Sequence, residues 1–281
     1  MTYKSNNGWL RVLALIIPYF IFIVFFQFIG AIIAGVSITN IETNSSLWQN
    51  LIISFFNLLG VFSLLHLFMK NVDKEKFINL GFSIKGRFKE LYLGFLIGAI
   101  VMALGYILLI IIDEIKFNNI EFNLKELVIS LFLYFFVAVA EEALARGYVL
   151  KNFMLSFNKY IALILSSLLF AVMHLANPNM DWFSFLNLFL AGILLGMSYI
   201  YTKNLWFPIA LHFSWNLFQT LFGFNVSGQD FYSLVEFKIT DKNLLNGGDF
   251  GFEGSIFSVV FQLVIIGSIW AYYQKKRKIK T

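Results

Sequence analysis

Long apolar stretches alternate with short polar segments along most of this 281-residue chain. A helix needs about 20 apolar residues to cross the roughly 30 Å hydrocarbon core of a bilayer. Eight stretches approach that length, and the pattern therefore predicts an all-α polytopic membrane protein with about eight transmembrane helices. These stretches are residues 12–36, 51–69, 91–112, 127–149, 160–176, 182–201, 205–224 and 255–273. The first one lacks a small-x-small cleavage site, and we expect it to remain as an anchor.

The composition supports a membrane protein and excludes several kinds of site. Hydrophobic residues make up 59% of the chain and charged residues only 13%, whereas about a quarter of a typical soluble chain is charged. The sequence contains no cysteine. This excludes a disulfide framework, a thiolate metal site and a cysteine nucleophile.

The basic residues fall mainly on one side of the predicted spans. Seventeen of the 21 lie on the side that also holds both chain ends, and four lie on the other side. Because positive charge is retained in the cytoplasm, we expect both termini to be cytoplasmic and the protein to be a multi-pass protein of the cell membrane. The richness in Lys, Asn, Ile and Phe is typical of a bacterial source. The first group is Lys4, Arg11, Lys70, Lys74, Lys76, Lys85, Arg87, Lys89, Arg146, Lys151, Lys159, Lys203, Lys275, Lys276, Arg277, Lys278 and Lys280; the second is Lys116, Lys125, Lys238 and Lys242.

The domain organisation follows from the same map. We expect one transmembrane domain over residues 1–281, a core with the candidate chemistry over 127–220, and a polar extracytoplasmic loop over 225–253. The basic loop at 70–90 is expected to lie near anionic lipid headgroups. The lipid bilayer is therefore a predicted partner, and nucleic acid is not.

The fourth span contains charged residues that are costly to insert into a membrane. Glu141 and Glu142 follow 14 largely apolar residues, and Arg146 comes four positions after Glu142. Each acid costs about 2.5–3.5 kcal/mol on insertion scales. Arg146 can neutralise Glu142 across one helical turn, whereas Glu141 has no partner in the sequence. Either Glu141 is a buried carboxylate or the helix ends there and all three residues lie among headgroups.

Two of the three histidines also fall in apolar spans. His174 comes late in the fifth span, shortly before Asn177 and Pro178, which should stop the helix. His212 and Asn216 in the seventh span share one helix face. Each histidine alone fits a structural hydrogen bond between helices. At 1.5 Å per residue, however, these side chains and Glu141 lie at comparable depths, so the joint pattern predicts an intramembrane cavity that they line together.

A carboxylate, two imidazoles and a carboxamide can activate water and stabilise a tetrahedral oxyanion, as peptide hydrolysis requires. Glu141, His174 and His212 also match the ligand types of a hydrolytic zinc site, so a divalent metal such as zinc remains an alternative. The chain has no Gly-x-Ser-x-Gly and no His-Glu-x-x-His motif. Serine and zincin sites are therefore not predicted.

Three motifs on consecutive spans resemble those of a known family. Glu141-Glu142-x-x-x-Arg146-Gly147, Phe170-x-x-x-His174 and His212-x-x-x-Asn216 are similar to the motifs of the CAAX-protease and bacteriocin-processing (CPBP, or Abi) intramembrane endopeptidases, which include the type II CAAX prenyl proteases. The resemblance covers about residues 127–220. It implies an eight-helix fold with a cavity open toward the cytoplasm.

The resemblance also implies roles for the residues. Glu141 and His174 would hold and activate the water, His212 and Asn216 would stabilise the oxyanion, and Glu142 with Arg146 would support the site. The partner would be a peptide or protein substrate in the membrane. Metal-free water is favoured over zinc because Asn216 is a better oxyanion donor than a zinc ligand. The alternative function is a non-proteolytic bacteriocin-immunity or binding protein, or a transporter, in which the polar network is structural.

Overall fold

A computed structural model of the chain describes residues 7–36 and 45–279, so Lys4 and Lys280 of the charge count lie outside the described residues. One helix corresponds to each predicted stretch. The helices are α1 (Gly8–Ile33), α2 (Leu47–Asp73), α3 (Phe88–Ile111), α4 (Leu124–Ser156), α5 (Lys159–Met173), α6 (Trp182–Thr202), α7 (Trp206–Leu221) and α8 (Ile256–Lys278). Six of them are long and apolar enough to cross a membrane, whereas α5 and α7 have only 15 and 16 residues. The prediction of an all-α polytopic membrane protein is confirmed.

Helix α4 is longer than its predicted span and changes its hydrogen-bonding pattern midway. The side chain of Asn123 caps it by accepting from the backbone N–H groups of Lys125 and Glu126. The helix then continues through a π-helical segment, Ala143–Leu150, before it ends at Ser156. It does not end at Glu141, so the alternative that placed the three charged residues among headgroups is wrong. Their segment lies in the middle of a helix about 50 Å long.

Small residues allow several helices to pack closely. A Cβ atom on Gly94 of α3 would lie 2.6 Å from the carbonyl oxygen of Phe207, and one on Gly98 would lie 2.7 Å from the backbone nitrogen of Trp215. Glycines four residues apart therefore let α3 contact the backbone of α7, as is common between membrane helices. This contact fixes the helix that contains His212 and Asn216.

The two ends of the bundle are held by different contacts. We call the end near Gly8 and Lys278 the terminal face and the opposite end the distal face. At the terminal face, Leu205 N–H donates to the carbonyl of Gly81 at 3.0 Å, and Lys151 pairs with Glu75 at 2.7 Å. The segments 74–87, 157–158 and 203–205 all lie on this side.

At the distal face, two loops pair through a small sheet. Strand β1 (Ile115–Ile120) runs antiparallel to β2 (Val235–Ile239), with a bulge between Phe117 and Asn119. The polar loop predicted over 225–253 therefore contains a strand, and it also contains short 3₁₀ turns at Gly248–Phe250 and Phe252–Gly254. No local pattern revealed this strand because its pairing partner lies more than 100 residues earlier in the chain.

Candidate active site

Glu141 faces a cavity of about 420 Å³ between the helices. The cavity is lined by residues of α1, α2, α4 and α7, by the end of α5 and by part of the loop at 225–253, which we call the distal loop. The side chain of Glu141 is 26% exposed, and its Oε2 atom is buried without a hydrogen-bond donor among the described residues. Glu141 is thus a carboxylate that faces an intramembrane cavity with one unsatisfied oxygen.

Both imidazoles approach that oxygen. The Nε2 atom of His174 lies 3.6 Å from Glu141 Oε2, and the Nε2 atom of His212 lies 3.9 Å from it. His174 directly follows the last residue of α5, whereas His212 lies in the first half of α7. Three elements that are separate in the sequence therefore bring one carboxylate and two imidazoles together, as the pattern of polar positions predicted.

The other ring nitrogens determine what these two Nε2 atoms can do. Nδ1 of His174 lies 2.7 Å from the carbonyl oxygen of Phe170, and Nδ1 of His212 lies 2.9 Å from Glu142 Oε1. Because a carbonyl and a carboxylate accept hydrogen bonds, both Nδ1 atoms are assigned the proton. In the neutral rings, Nε2 is then an acceptor. Together with Glu141 Oε2, three acceptor atoms converge on a space where a proton donor or a cation is needed.

Glu142 points away from the cavity and belongs to a buried ion-pair network. Its Oε1 lies 2.7 Å from Nη1 of Arg146, and the two side chains are 0% and 1% exposed. The ion pair predicted from their four-residue spacing is confirmed. Arg146 also donates to the carbonyl of Gly192 at 3.2 Å and lies 4.3 Å from the centre of the Phe170 ring. Glu142 connects this network to His212, and the sequence did not predict that contact.

Asn216 lies one helical turn after His212 and lines the same cavity as Glu141 and both histidines. Its side chain is buried, at 5% exposure. The carboxamide supplies N–H donors, which neither Glu141 nor the neutral Nε2 atoms provide. The structure therefore brings together all four residues that the sequence singled out for chemistry and places Glu142 and Arg146 directly behind them.

Two residues of the distal loop also reach the site. Ser227 lines the main cavity, and its backbone N–H and hydroxyl donate to Glu253 Oε2 at 2.9 and 2.8 Å. A small adjoining cavity of about 30 Å³, about the space of one water, contacts Glu253, His174 and His212. Burial raises the pKa of the Glu253 carboxyl, although the hydrogen bonds from Ser227 act in the opposite direction. The sequence analysis missed both residues because no spacing rule relates this loop to the motifs.

The three acceptor atoms around the cavity lie farther apart than the ligand atoms of a bound zinc ion. Within residues 7–36 and 45–279, no three His, Asp or Glu side chains form a cluster that could hold a metal ion. Ligand atoms of tetrahedral zinc, with bonds of about 2.0 Å, lie about 3.3 Å apart. The separations of 3.6 and 3.9 Å around Glu141 Oε2 are larger. Glu141, His174 and His212 would have to move toward one another to bind such an ion.

Comparison with protein families bears directly on this segment. Residues 123–218 match the family described as type II CAAX prenyl endopeptidase Rce1-like. The match confirms the family resemblance. It covers about a third of the chain and includes every motif residue from Glu141 to Asn216. No curated protein and no solved structure matches the chain significantly. The matched family is one of endopeptidases, and the distal loop with Ser227 and Glu253 lies outside the matched region.

Proposed function

We propose that this protein is an intramembrane endopeptidase that hydrolyses a peptide bond of a membrane-associated protein or peptide. One observation above all supports this function. The Oε2 atom of Glu141 and the Nε2 atoms of His174 and His212 converge within 4 Å in a cavity between helices. Intramembrane ionisable groups are costly and are usually retained for function. The match to an endopeptidase family over the same segment adds independent support.

In the proposed reaction, Glu141 is the general base and His174 positions the water. A water that donates to Glu141 Oε2 and to His174 Nε2 would lose a proton to the carboxylate as its oxygen attacks the substrate carbonyl carbon. The breaking bond is the C–N bond of the peptide. Glu141 would then return the proton to the leaving nitrogen, so that the carboxylate is regenerated after each cycle.

His212 and Asn216 are proposed to stabilise the oxyanion that forms during this attack. The Asn216 carboxamide can donate directly. A His212 ring protonated at both nitrogens would donate Nδ1–H to Glu142 and Nε2–H to the oxyanion. Glu142 is held in place by Arg146, 2.7 Å away. Glu142 and Arg146 are therefore positioning residues. A preorganised donor to the oxyanion, such as Asn216 or His212, is worth about 10²–10³ in rate.

Metal-free activation of the water is part of the proposal. It is supported by the long ligand separations around Glu141 and by the amide at Asn216, which suits an oxyanion better than zinc. The Nδ1–H groups of both histidines have acceptors, and this contact orients each ring in the same way for a bound water as for a metal ion.

Glu141→Gln tests the proposal because it keeps the shape of the side chain and removes the base. We expect loss of peptide products by about 10²–10⁴-fold, which is typical for a general base. Membrane peptidomics would compare cells that produce the parental chain, the Glu141→Gln variant and a control, Glu126→Gln, at equal abundance. Glu126 lies in the first turn of the same helix and does not line the cavity. Zinc analysis of the active parental preparation should give far less than one ion per chain.

The same experiment separates the proteolytic function from the alternative of a non-proteolytic immunity or binding protein, or a transporter. In that alternative the polar groups are structural, so Glu141→Gln would leave the peptide products and the phenotype unchanged. Parental product levels in this variant, at equal abundance, would contradict the proposed role of Glu141.

A further inference from the structure

The cavity occupies the distal half of the bundle. On α1 it is lined from Tyr19 to Gln27, from near the middle of the helix toward its distal end, and on α2 from Asn50 to Val61, from the distal end to about the middle. Both sets of positions lie toward the distal face. Asn177 and the distal-loop segment 226–231 complete the wall. No residue of the terminal-face segments 74–87, 157–158 or 203–205 lines it.

The two short helices explain why the space lies on this side. At 1.5 Å per residue, α5 and α7 are about 22 and 24 Å long, less than the roughly 30 Å of a hydrocarbon core. Their first residues are fixed at the terminal face, where Tyr160 contacts Gln274 and Trp206 donates to the carbonyl of Phe82. Both helices therefore end below the distal face. The distal loop folds into the remaining space as irregular backbone, which a membrane protein tolerates where it lines a cavity.

The terminal half is closed below the cavity. On α1, α2 and α4, the side chain one helical turn beyond the deepest lining residue is buried. Leu15 follows Tyr19 on α1 in this direction, Leu65 follows Val61 on α2, and Tyr148 follows Leu144 on α4; they are 3%, 0% and 0% exposed. Further toward the terminal face lie Met69, Leu80, Tyr199 and Leu205, none more than 1% exposed. Packing of this density leaves no path for a peptide from the terminal face to Glu141.

The charges of the two faces identify their sides of the membrane. Among the described residues, and without Arg146, Glu141 and Glu142 of the bundle interior, the terminal face has 14 basic and 3 acidic side chains, and the distal face has 4 basic and 10 acidic ones. The acids at the terminal face are Asp73, Glu75 and Glu90; those at the distal face are Asp113, Glu114, Glu121, Glu126, Asp181, Asp230, Glu236, Asp241, Asp249 and Glu253. Because retained Lys and Arg mark the cytoplasmic side, the terminal face is assigned to the cytoplasm.

We propose that the cavity around Glu141 opens to the extracytoplasmic side of the membrane, so that the enzyme cleaves segments presented from the outer surface or the outer leaflet. The peptidase activity in this inference rests on the proposed function, whereas the direction of opening rests on the fold and the charges. It replaces the expectation, implied by the family resemblance, of a cavity open toward the cytoplasm. That opening and cytoplasmic termini cannot both hold in this fold.

The absence of cysteine in the sequence makes single-cysteine labelling a direct test. Ser54→Cys reports on the cavity, because Ser54 lines it and the change replaces one oxygen with sulfur. Asn118→Cys on β1 reports on the distal surface, and Lys85→Cys reports on the terminal surface, since both residues are exposed. Ser198→Cys is the matched control for Ser54→Cys, because Ser198 is 2% exposed in the closed half.

A charged, membrane-impermeant maleimide would be added to spheroplasts producing each full-length variant, before and after permeabilisation. We expect Ser54→Cys and Asn118→Cys to be labelled in intact spheroplasts and labelling of Lys85→Cys to be lost there. Lys85→Cys should react only after permeabilisation, and Ser198→Cys under neither condition. The inference is overturned if Ser54→Cys reacts only after permeabilisation, if it never reacts, or if Asn118→Cys and Lys85→Cys exchange their behaviour.

Repeating the labelling in a Glu141→Gln background distinguishes the two proposals. Labelling needs no catalysis, so the pattern should be unchanged there. An inactive Glu141→Gln variant with outward labelling supports both proposals. Outward labelling with full activity of that variant overturns only the catalytic assignment, and inward labelling with loss of activity overturns only the direction of opening.

Discussion

The terminal and distal halves of this bundle are built from the same helices but differ in packing. In the terminal half, large side chains such as Tyr148 and Tyr199 are completely buried. In the distal half, two helices end early and the space holds a cavity of about 420 Å³. Helix α4 crosses both halves, and the adjacent residues Glu141 and Glu142 lie at the boundary. A rotation of about 100° per residue is enough to direct one carboxylate into the cavity and the other into the packed interior.

Two carboxyl groups outside the spans, one at each end of the bundle, have pKa values shifted in opposite directions. At the terminal face, partial burial alone would raise the pKa of Glu75, but the adjacent Lys151 ammonium outweighs it and holds the pKa below its ordinary value. In the distal loop, burial raises the pKa of Glu253, and no cation pairs with it among the described residues. Glu75 at the terminal face is thus paired with a cation, whereas Glu253 in the distal loop is held by hydrogen bonds from Ser227.

Among the stability changes predicted for the two halves, we expect the loss of Arg146 to be the largest. Arg146→Met removes the cation beside Glu142 in the packed interior and leaves only the contact with His212; breaking a buried pair in this way typically costs about 3–5 kcal/mol. We expect most of the protein to be lost from the folded fraction in thermal unfolding monitored by fluorescence-detected gel filtration. The double variant Glu142→Gln/Arg146→Met should recover part of that stability, because no uncompensated charge remains.

The matched control for this change is Arg87→Met. Arg87 pairs with Glu90 at 2.7 Å, but both side chains are about 30% exposed, and such a pair is worth about 0–1 kcal/mol. Equal stability losses for Arg146→Met and Arg87→Met would show that the interior around α4 is not the closed region described above.

A smaller effect is expected from the hydrogen bond that joins α6 to the terminal-face loop. Tyr199 donates its hydroxyl proton to the carbonyl of Leu80 at 2.9 Å, and both residues are fully buried. Tyr199→Phe removes the donor and keeps the ring, at a cost of about 1 kcal/mol. The thermal midpoint should fall relative to the parental chain, whereas labelling at Ser54→Cys should not change, because the closed half stays packed. Tyr92→Phe, at a residue 66% exposed, is the control; a midpoint as high in Tyr199→Phe as in this control would contradict the prediction.

The sequence predicted those features of the fold and of the candidate site that depend on local patterns. Hydropathy alone located all eight helices, because length and apolarity are local properties. The motif positions placed Glu141, His174, His212 and Asn216 on three spans whose convergence the structure then showed, although His174 directly follows its helix rather than lying within it. The Glu142–Arg146 pair was also predicted, since both residues lie one turn apart on the same helix.

Features that depend on long-range packing were not predicted. The contact of His212 with Glu142 depends on how α7 packs on α4, and the approach of Ser227 and Glu253 to the site depends on how a loop folds above two short helices. The π-helical segment at 143–150 leaves no mark in the residue pattern. Hydropathy reports on burial along one helix, whereas these features are set by neighbours that are distant in sequence.

The smallest expected effect concerns the pairing of charges at the terminal face. Lys151 lies 2.7 Å from Glu75, whose side chain is 40% exposed, so solvent screening limits the pair to under about 1 kcal/mol. Because the pKa of Glu75 is lowered in the folded state, the pair contributes its stability above the unfolded-state pKa of about 4.3 and loses it as the pH falls through the lower folded-state value. Acidification from pH 6 through this range should therefore destabilise the parental chain slightly more than Lys151→Met, as measured by thermal midpoints at each pH. The Glu75→Gln variant should give the same shallow profile as Lys151→Met, since either change removes the pair. A parental profile no steeper than these two would show that the terminal face gains no stability from pairing its charges.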